Sequence, residues 1–177
     1  GRDLSQFRLW YKQSGTPRLD VTSSYSDERR ELTLNFQQYC PDTPGQTDKE
    51  PFLIPVKLGL VSADGDDTPL NAAGDQQLVI DVTEADQQVV IENVASGAVP
   101  SLLRGFSAPV KLHYPYTSSQ LAHLMTHDSD GFNRWDAGQQ LALNILQQQA
   151  FNIQHALPLE LDGTLVDAYQ GLLEDTA

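Results

Sequence analysis

Apolar residues recur at every second position along most of the chain and at every third or fourth position near its end, with the change falling close to Pro115. A β region therefore hands over to an α region. The first residues are an exception. In 3–13 (DLSQFRLWYKQ), Leu4, Phe7, Leu9, Trp10 and Tyr11 fall at roughly helical spacing, with Asp3 or Ser5 as a cap, and Ser14-Gly15-Thr16-Pro17 ends the helix. A helix of about ten residues is marginal in water, so its aromatic face must pack on something.

From Arg18 the period is two: Leu19, Val21 and Tyr25 share one face, and Asp20, Thr22 and Ser24 the other. The polar turn at Ser26-Asp27-Glu28 joins this strand to residues 31–39, with Leu32, Leu34 and Phe36 inward, which predicts a hairpin. Residues 40–51 hold three prolines and a glycine without periodicity and read as a loop. Residues 52–61 place Ile54, Val56, Leu58 and Leu60 on one face. Pro55 and Gly59 fall on the other, which suggests an edge strand or a bulge. After the turn at Asp64-Gly65-Asp66-Asp67, residues 76–83 point Leu78, Ile80 and Val82 inward. Residues 87–94 are apolar on both faces around Val89, Val90 and Ile91, as a central strand would be. The segment from Gly97 to Pro109 reads as irregular or weakly extended, and Val110, Leu112 and Tyr114 form one more strand.

About seven short strands separated by turns predict an immunoglobulin-like antiparallel β-sandwich over roughly residues 16–116, although the Cys, Trp, Cys pattern of true immunoglobulin domains is missing. The helical code follows. Thr117-x-x-Gln120 is a capping box, and Leu121, Leu124 and Met125 lie on one face. A second helix is expected from near Asp130 to about Gln154, with Phe132, Trp135, Leu141, Ala142, Ile145 and Leu146 as its buried stripe. Asp162 or Thr164 can cap a third, carrying Leu165, Val166, Tyr169, Leu172 and Leu173, while Glu174 and Asp175 in its last turn oppose the macrodipole. The fold class is mainly β followed by α: a sandwich with a C-terminal set of about three helices.

A length of 177 residues and 40% hydrophobic content suffice for a substantial core. With 11 Lys plus Arg against 24 Asp plus Glu, the formal charge of −13 repels phosphate backbones and anionic headgroups, so nucleic-acid and membrane partners are not expected. No apolar run approaches the length of a membrane span, and the start lacks the apolar core of a signal peptide. Cys40 is the single cysteine, which excludes an internal disulfide and fits a reducing compartment; a cytoplasmic location is the expectation.

The chemical candidates are few. His123 and His127, four apart on one helix, have a spacing that can bind zinc, but a metalloprotease helix needs Glu directly after the first His, and Leu124 stands there. His113 and His155 complete the histidines. Asp64-Gly65-Asp66-Asp67 and Asp128-Ser129-Asp130-Gly131 resemble calcium loops faintly, yet lack the spaced ligands and closing Glu; turn and cap chemistry accounts for both. Ser101 and Ser107 sit in no nucleophile elbow, and Cys40 has no histidine near it in sequence. Arg104, Arg134 and Trp135 could form an interface patch, although packing is the commoner role of such a group. On these grounds no residue is expected to be catalytic, cofactor-binding or metal-binding.

Four stretches, FRLWYKQSGTP, PDTPGQTDKEPFLIPVKLGL, VPSLLRGFSAPVKLHY and HDSDGFNRWDAGQQL, resemble the bacterial-type aminopeptidase N family of zinc metallo-aminopeptidases in the same order. The resemblance covers about residues 5–141. In that family a thermolysin-like zinc domain precedes a small β-sandwich and a large all-helical domain. The resemblance thus implies that residues 1–15 are the terminal helix of a preceding catalytic domain, 16–116 the sandwich domain, and 117–177 the start of the helical domain. The family's His-Glu-x-x-His, distal Glu and Gly-Ala-Met-Glu-Asn motifs have no counterpart here. The implied chain is a noncatalytic, linking fragment of an enzyme that removes N-terminal residues from peptides. Its partners would be the parent's own catalytic and helical domains, and zinc would reside in the catalytic one. The alternative is an independent β-sandwich module that binds proteins or carbohydrates.

Overall fold

The structure is a computed structural model that describes residues 3–159 and 163–174. Strands β1 (Arg18–Ser26) and β2 (Glu31–Tyr39) form the expected antiparallel hairpin, in register from Arg18 opposite Tyr39 to Ser26 opposite Glu31. They lie at the centre of a four-stranded sheet of order β5-β2-β1-β7, where β5 is Asp86–Ile91 and β7 is Lys111–His113. The facing sheet has the order β4-β3-β6, with β3 at Ile54–Val61, β4 at Gln77–Val82 and β6 at Val99–Leu102. Between them Leu19, Val21, Leu34 and Phe36 meet Ile54, Val56 and Leu58, all essentially inaccessible to water. Each such side chain contributes about 1.5 to 3 kcal/mol of burial, which is what holds two sheets face to face.

Gln38 continues the inward row of β2 one step beyond Phe36 and is itself buried. Its amide donates to the carbonyls of Phe52 (2.8 Å) and Glu84 (3.1 Å), and its oxygen accepts from the Phe52 N–H (2.8 Å). A buried polar side chain is tolerated because its hydrogen bonds are made, and these three tie one sheet to the other.

Several strands differ from the sequence reading. β3 is central, not an edge. Pro55 is tolerated because β6 pairs only with the far half of β3, from Leu58 to Val61. The Lys57 N–H points away from β4, to the Ser107 hydroxyl at 2.9 Å, so the nitrogen of Pro55, two residues earlier, faces the same side, where no strand pairs with it. β5, expected to be central, is an edge strand: β2 already has β1 on its other side, and Val90 is 47% exposed. Within 97–109, β6 is a regular strand, buried along its whole length despite Pro100, followed by a single 3-10 turn at Arg104–Phe106. β7 joins β1 in parallel, Arg18 opposite Lys111, while the other strand pairs are antiparallel.

The N-terminal helix, α1, is regular only over Leu9–Lys12, after turns at 5–8. Its packing partner is on the sandwich: Trp10 lies tilted against Phe52 at 4.7 Å between centroids and donates its indole N–H to the Leu53 carbonyl at 2.9 Å. Gln6 and Gln13 add bonds to the carbonyls of Thr83 and Glu50, whereas Phe7 and Tyr11 point outward.

A second core lies beyond the strand ends. Helix α2 (Ser118–His127) starts with the expected reciprocal box between Thr117 and Gln120. Leu121, Leu124 and Met125 pack with Val61 and Val99, the tips of β3 and β6, and with Ala137 and Leu141 of α3 (Gly131–Gln154). The buried stripe of α3 differs from expectation. It runs through Ala137, Gly138 and Leu141, because the small residues let α2 approach, with Met125 lying against Gly138. Rotating that face inward turns Phe132, Trp135 and Leu146 outward. Helix α4 (Gly163–Glu174) packs on α2 through Ala168 and Leu165; the expected cap Asp162 and the terminal Asp175 lie outside the described residues.

Candidate functional site

The structure keeps His123 and His127 side by side and places His113 and His155 on other elements. His123 holds Nε2 2.7 Å from the Ser62 carbonyl, and since a carbonyl only accepts, that nitrogen carries the proton. His127 lies 4.8 Å away between ring centroids and packs against the backbone of Gly65. Both therefore seat α2 on the 62–66 turn. His113 is on β7, 3.6 Å from Asp20, and His155 stacks on Phe151 at the end of α3. Among the described residues, no three His, Cys, Asp or Glu side chains converge as a metal site would require. The Cys40 thiol lies 3.6 Å from the Ser14 carbonyl and 3.7 Å from the Lys49 ammonium. The Ser107 hydroxyl accepts the Lys57 N–H, whereas Ser101 is fully buried and belongs to a different assembly.

That assembly is built around Arg104, whose side chain is inaccessible to water. The chain reaches it through a turn with Leu103, Gly105 and Phe106 all at positive φ (57°, 62° and 53°), which aims Arg104 inward and Phe106 outward. Such φ values are unfavourable for non-glycine residues and persist where the surroundings hold them. The guanidinium makes a bidentate pair with Asp67 (2.6 and 3.0 Å) on the sandwich and a second ion pair with Asp128 (2.8 Å) at the end of α2. Its Nε donates to Ser101 (2.9 Å), and Ser101 in turn donates to Asp128. The α2–α3 corner completes the ring. Ser129 donates to Asp67, the Asn133 amide donates to Ser101 (2.8 Å) and to the Leu102 carbonyl (2.9 Å), and the Gly105 N–H donates to Asp130 (2.8 Å). Space for the guanidinium comes from Gly59 on β3, where any Cβ would overlap it.

The electrostatics follow from the partners. Burial would lower the Arg104 pKa, but the hydrogen bond to Asp67 and the charges of Asp128, Asp67 and Asp130 outweigh it and raise it, so the cation is permanent. Burial pushes Asp67 up, yet the bonds from Arg104 and Ser129 with the Arg104 charge hold its carboxyl below the ordinary value. For Asp128 burial wins over the bonds from Ser101 and Asp130 and the Arg104 charge, and its pKa is raised. The two directions are compatible: Asp67 has the bidentate geometry and some solvent, and Asp128 is wholly enclosed.

The two acidic loops are thus only partly local turn and cap chemistry. Asp130 does cap α3, accepting from the Asn133 N–H at 3.0 Å, but Asp67 and Asp128 serve a cation that lies far from both along the chain. No spacing rule connects Arg104 to Asp67, 37 residues away. Arg104 is buried and joins no surface patch with Arg134 and Trp135, while Trp135 is 59% exposed in a row of rings with Phe132 (5.9 Å) and Phe106 (5.6 Å). Trp135→Ala should therefore lower the unfolding free energy in urea by less than about 1 kcal/mol; a loss of several kcal/mol would mean that the ring anchors the helices.

Comparison with known proteins converges on one lineage. Residues 118–177 match DUF3458_C, a domain of unknown function described as ARM repeats. The chain is 41% identical to Aminopeptidase N of Escherichia coli (strain K12) over 174 residues, and 36% identical to Aminopeptidase N of Haemophilus influenzae over 172. Those matches cover 98% and 97% of this chain but 20% of each relative, so the chain spans about one fifth of their length. The crystal structure of Legionella pneumophila aminopeptidase A in complex with aspartic acid superposes with a TM-score of 0.77 at 28% identity, over 99% of this chain and 18% of that one. Residues 15–115 match the domain of unknown function DUF3458, described as an Ig-like fold, and the chain belongs to that family.

Proposed function

We infer that this chain is the noncatalytic linking part of a zinc-dependent aminopeptidase that removes N-terminal residues from peptides. The observation that carries the reading is the 41% identity to Aminopeptidase N along 98% of the chain, which favours it over an independent binding module. In this reading residues 1–15 close the catalytic domain, 16–116 are the sandwich, and 117–177 open the helical domain, so the partners are the other domains of one polypeptide. Peptides are the substrates of the whole enzyme, and its location is cytoplasmic. No helix of the described residues is long and apolar enough to cross a membrane.

Zinc belongs to the catalytic domain in this reading. Aminopeptidase chemistry needs a Lewis-acid metal on three protein ligands, a carboxylate base and an anionic anchor for the substrate amine. The residues present do not fit that metal: His123 commits Nε2 to a backbone carbonyl, and His113 and His155 stand on other elements. The purified chain should therefore bind no stoichiometric zinc by calorimetry and release no chromogenic aminoacyl anilide. Turnover that survives removal of contaminating peptidase and vanishes with a chelator would overturn the reading. Activity that appears when the catalytic domain is supplied would support it.

A further inference from the structure

The described residues hold two separate cores, one between the sheets and one among α2, α3, α4 and the tips of β3 and β6. A short connection, residues 114–117, joins them in sequence. Besides the bonds from His123 to the Ser62 carbonyl and from Tyr116 to the Pro100 carbonyl, the polar contacts between them gather on the Arg104 ring. From the helical side Asp128, Ser129, Asp130 and Asn133 all lie on one corner, and from the sandwich side Asp67, Ser101, Arg104 and Gly105 face them. We propose that this ring is a docking lock, which fixes how the helical unit sits on the sandwich and whose loss undocks the helices while the sandwich stays folded.

The partition of bonds supports this division. If the units part, Arg104 keeps its bidentate pair with Asp67 and its bond to Ser101, all within the sandwich, and Asp128 passes into water with its corner. Neither side is left with an isolated buried charge. A directional buried ion pair selects one arrangement among several that apolar contact alone would allow, since its geometry tolerates little displacement. The apolar contact across the junction is of the permissive kind, with Val61 and Val99 against Leu121, Leu124 and Met125. The positive-φ backbone of Leu103 and Phe106 is held from both sides, by Arg104 inward and by the Gly105 bond to Asp130.

The purpose of such a lock rests on the linking reading, but its test does not. Hydrogen exchange followed by mass spectrometry on the 177-residue chain compares wild type with Asp128→Ala, which leaves the Arg104–Asp67 pair in place, and with Arg104→Met. In both variants exchange over 118–141 should accelerate at least about tenfold, while β1 and β2 stay within about threefold of wild type. Lys111→Met, which removes an exposed cation outside the ring, should change neither region. Uniform acceleration in both variants would make the ring an ordinary part of one cooperative core, and unchanged exchange over 118–141 would make the apolar contacts sufficient; either result overturns the lock. Peptidase activity in the isolated chain would sink the linking reading and leave this result untouched.

Discussion

Arg104→Met should weaken the docking of the helices by about 3 to 5 kcal/mol, the usual cost of removing one partner from a buried ion pair. Methionine fills much the same volume, so the loss is not mainly a cavity effect. What it leaves behind is Asp67 and Asp128 facing each other, with Asp130 near, and no cation between them. Asp128 escapes that repulsion by leaving with its helix corner, so the loss should appear first in the helical signal. Urea unfolding followed by circular dichroism at 222 nm should show the helical transition at lower denaturant. In a Trp135→Phe background, Trp10 is the single tryptophan, and its contact with Phe52 makes its fluorescence a reporter of the sandwich. That second transition should move much less. Coincident shifts in both signals, or a change below about 1 kcal/mol, would show that the charge network does not govern docking.

Gly59→Ala should be nearly as damaging, for a reason that concerns no bond made by residue 59 itself. The glycine is on a central strand with ordinary backbone angles, so alanine would be harmless there on conformational grounds. Its Cβ would overlap the Arg104 guanidinium, which is enclosed and has nowhere to move without breaking the pairs with Asp67 and Asp128. A loss of about 3 kcal/mol in the same helical transition is expected, from overpacking together with lost ion pairing. The effect should be strongly non-additive. Once Arg104 is already alanine, the added methyl group should cost less than about 1 kcal/mol, because the atoms it would meet are gone. Full additivity in that double-mutant cycle would show that Gly59 matters for the strand and not for the arginine.

The glycine also shows where sequence reasoning stops. Pro55 and Gly59 together read as an edge or a bulge, a sound inference from residue type. Their reasons are different and neither is local: Pro55 sits where β6 has not yet begun to pair, and Gly59 clears space for a side chain from the turn after β6. Similarly, Val89, Val90 and Ile91 read as doubly buried, but strand order places β5 at an edge and leaves Val90 half exposed. On α3, Trp135 is the largest apolar residue of the expected stripe, and it lost the interior to Ala137 and Gly138 because close helix approach favours small residues.

By itself the sequence determined what depends on near neighbours: the alternation that makes β1, β2 and β3, the Thr117 and Asp130 caps that start α2 and α3, and the change of period near Pro115. These are effects of residues two to four positions apart, and the bonds that create them form in any environment that lets the segment fold. It also carried the family resemblance, since long ordered motifs survive in the letters themselves. Tertiary structure alone decided which strands are edges, that Trp10 packs on Phe52, and that Arg104 draws Asp67 and Asp128 together. A buried guanidinium needs its charge paired and its N–H groups bonded, and here the acceptors that do so, Asp67 and Asp128, come from loops with no relation in sequence to Arg104.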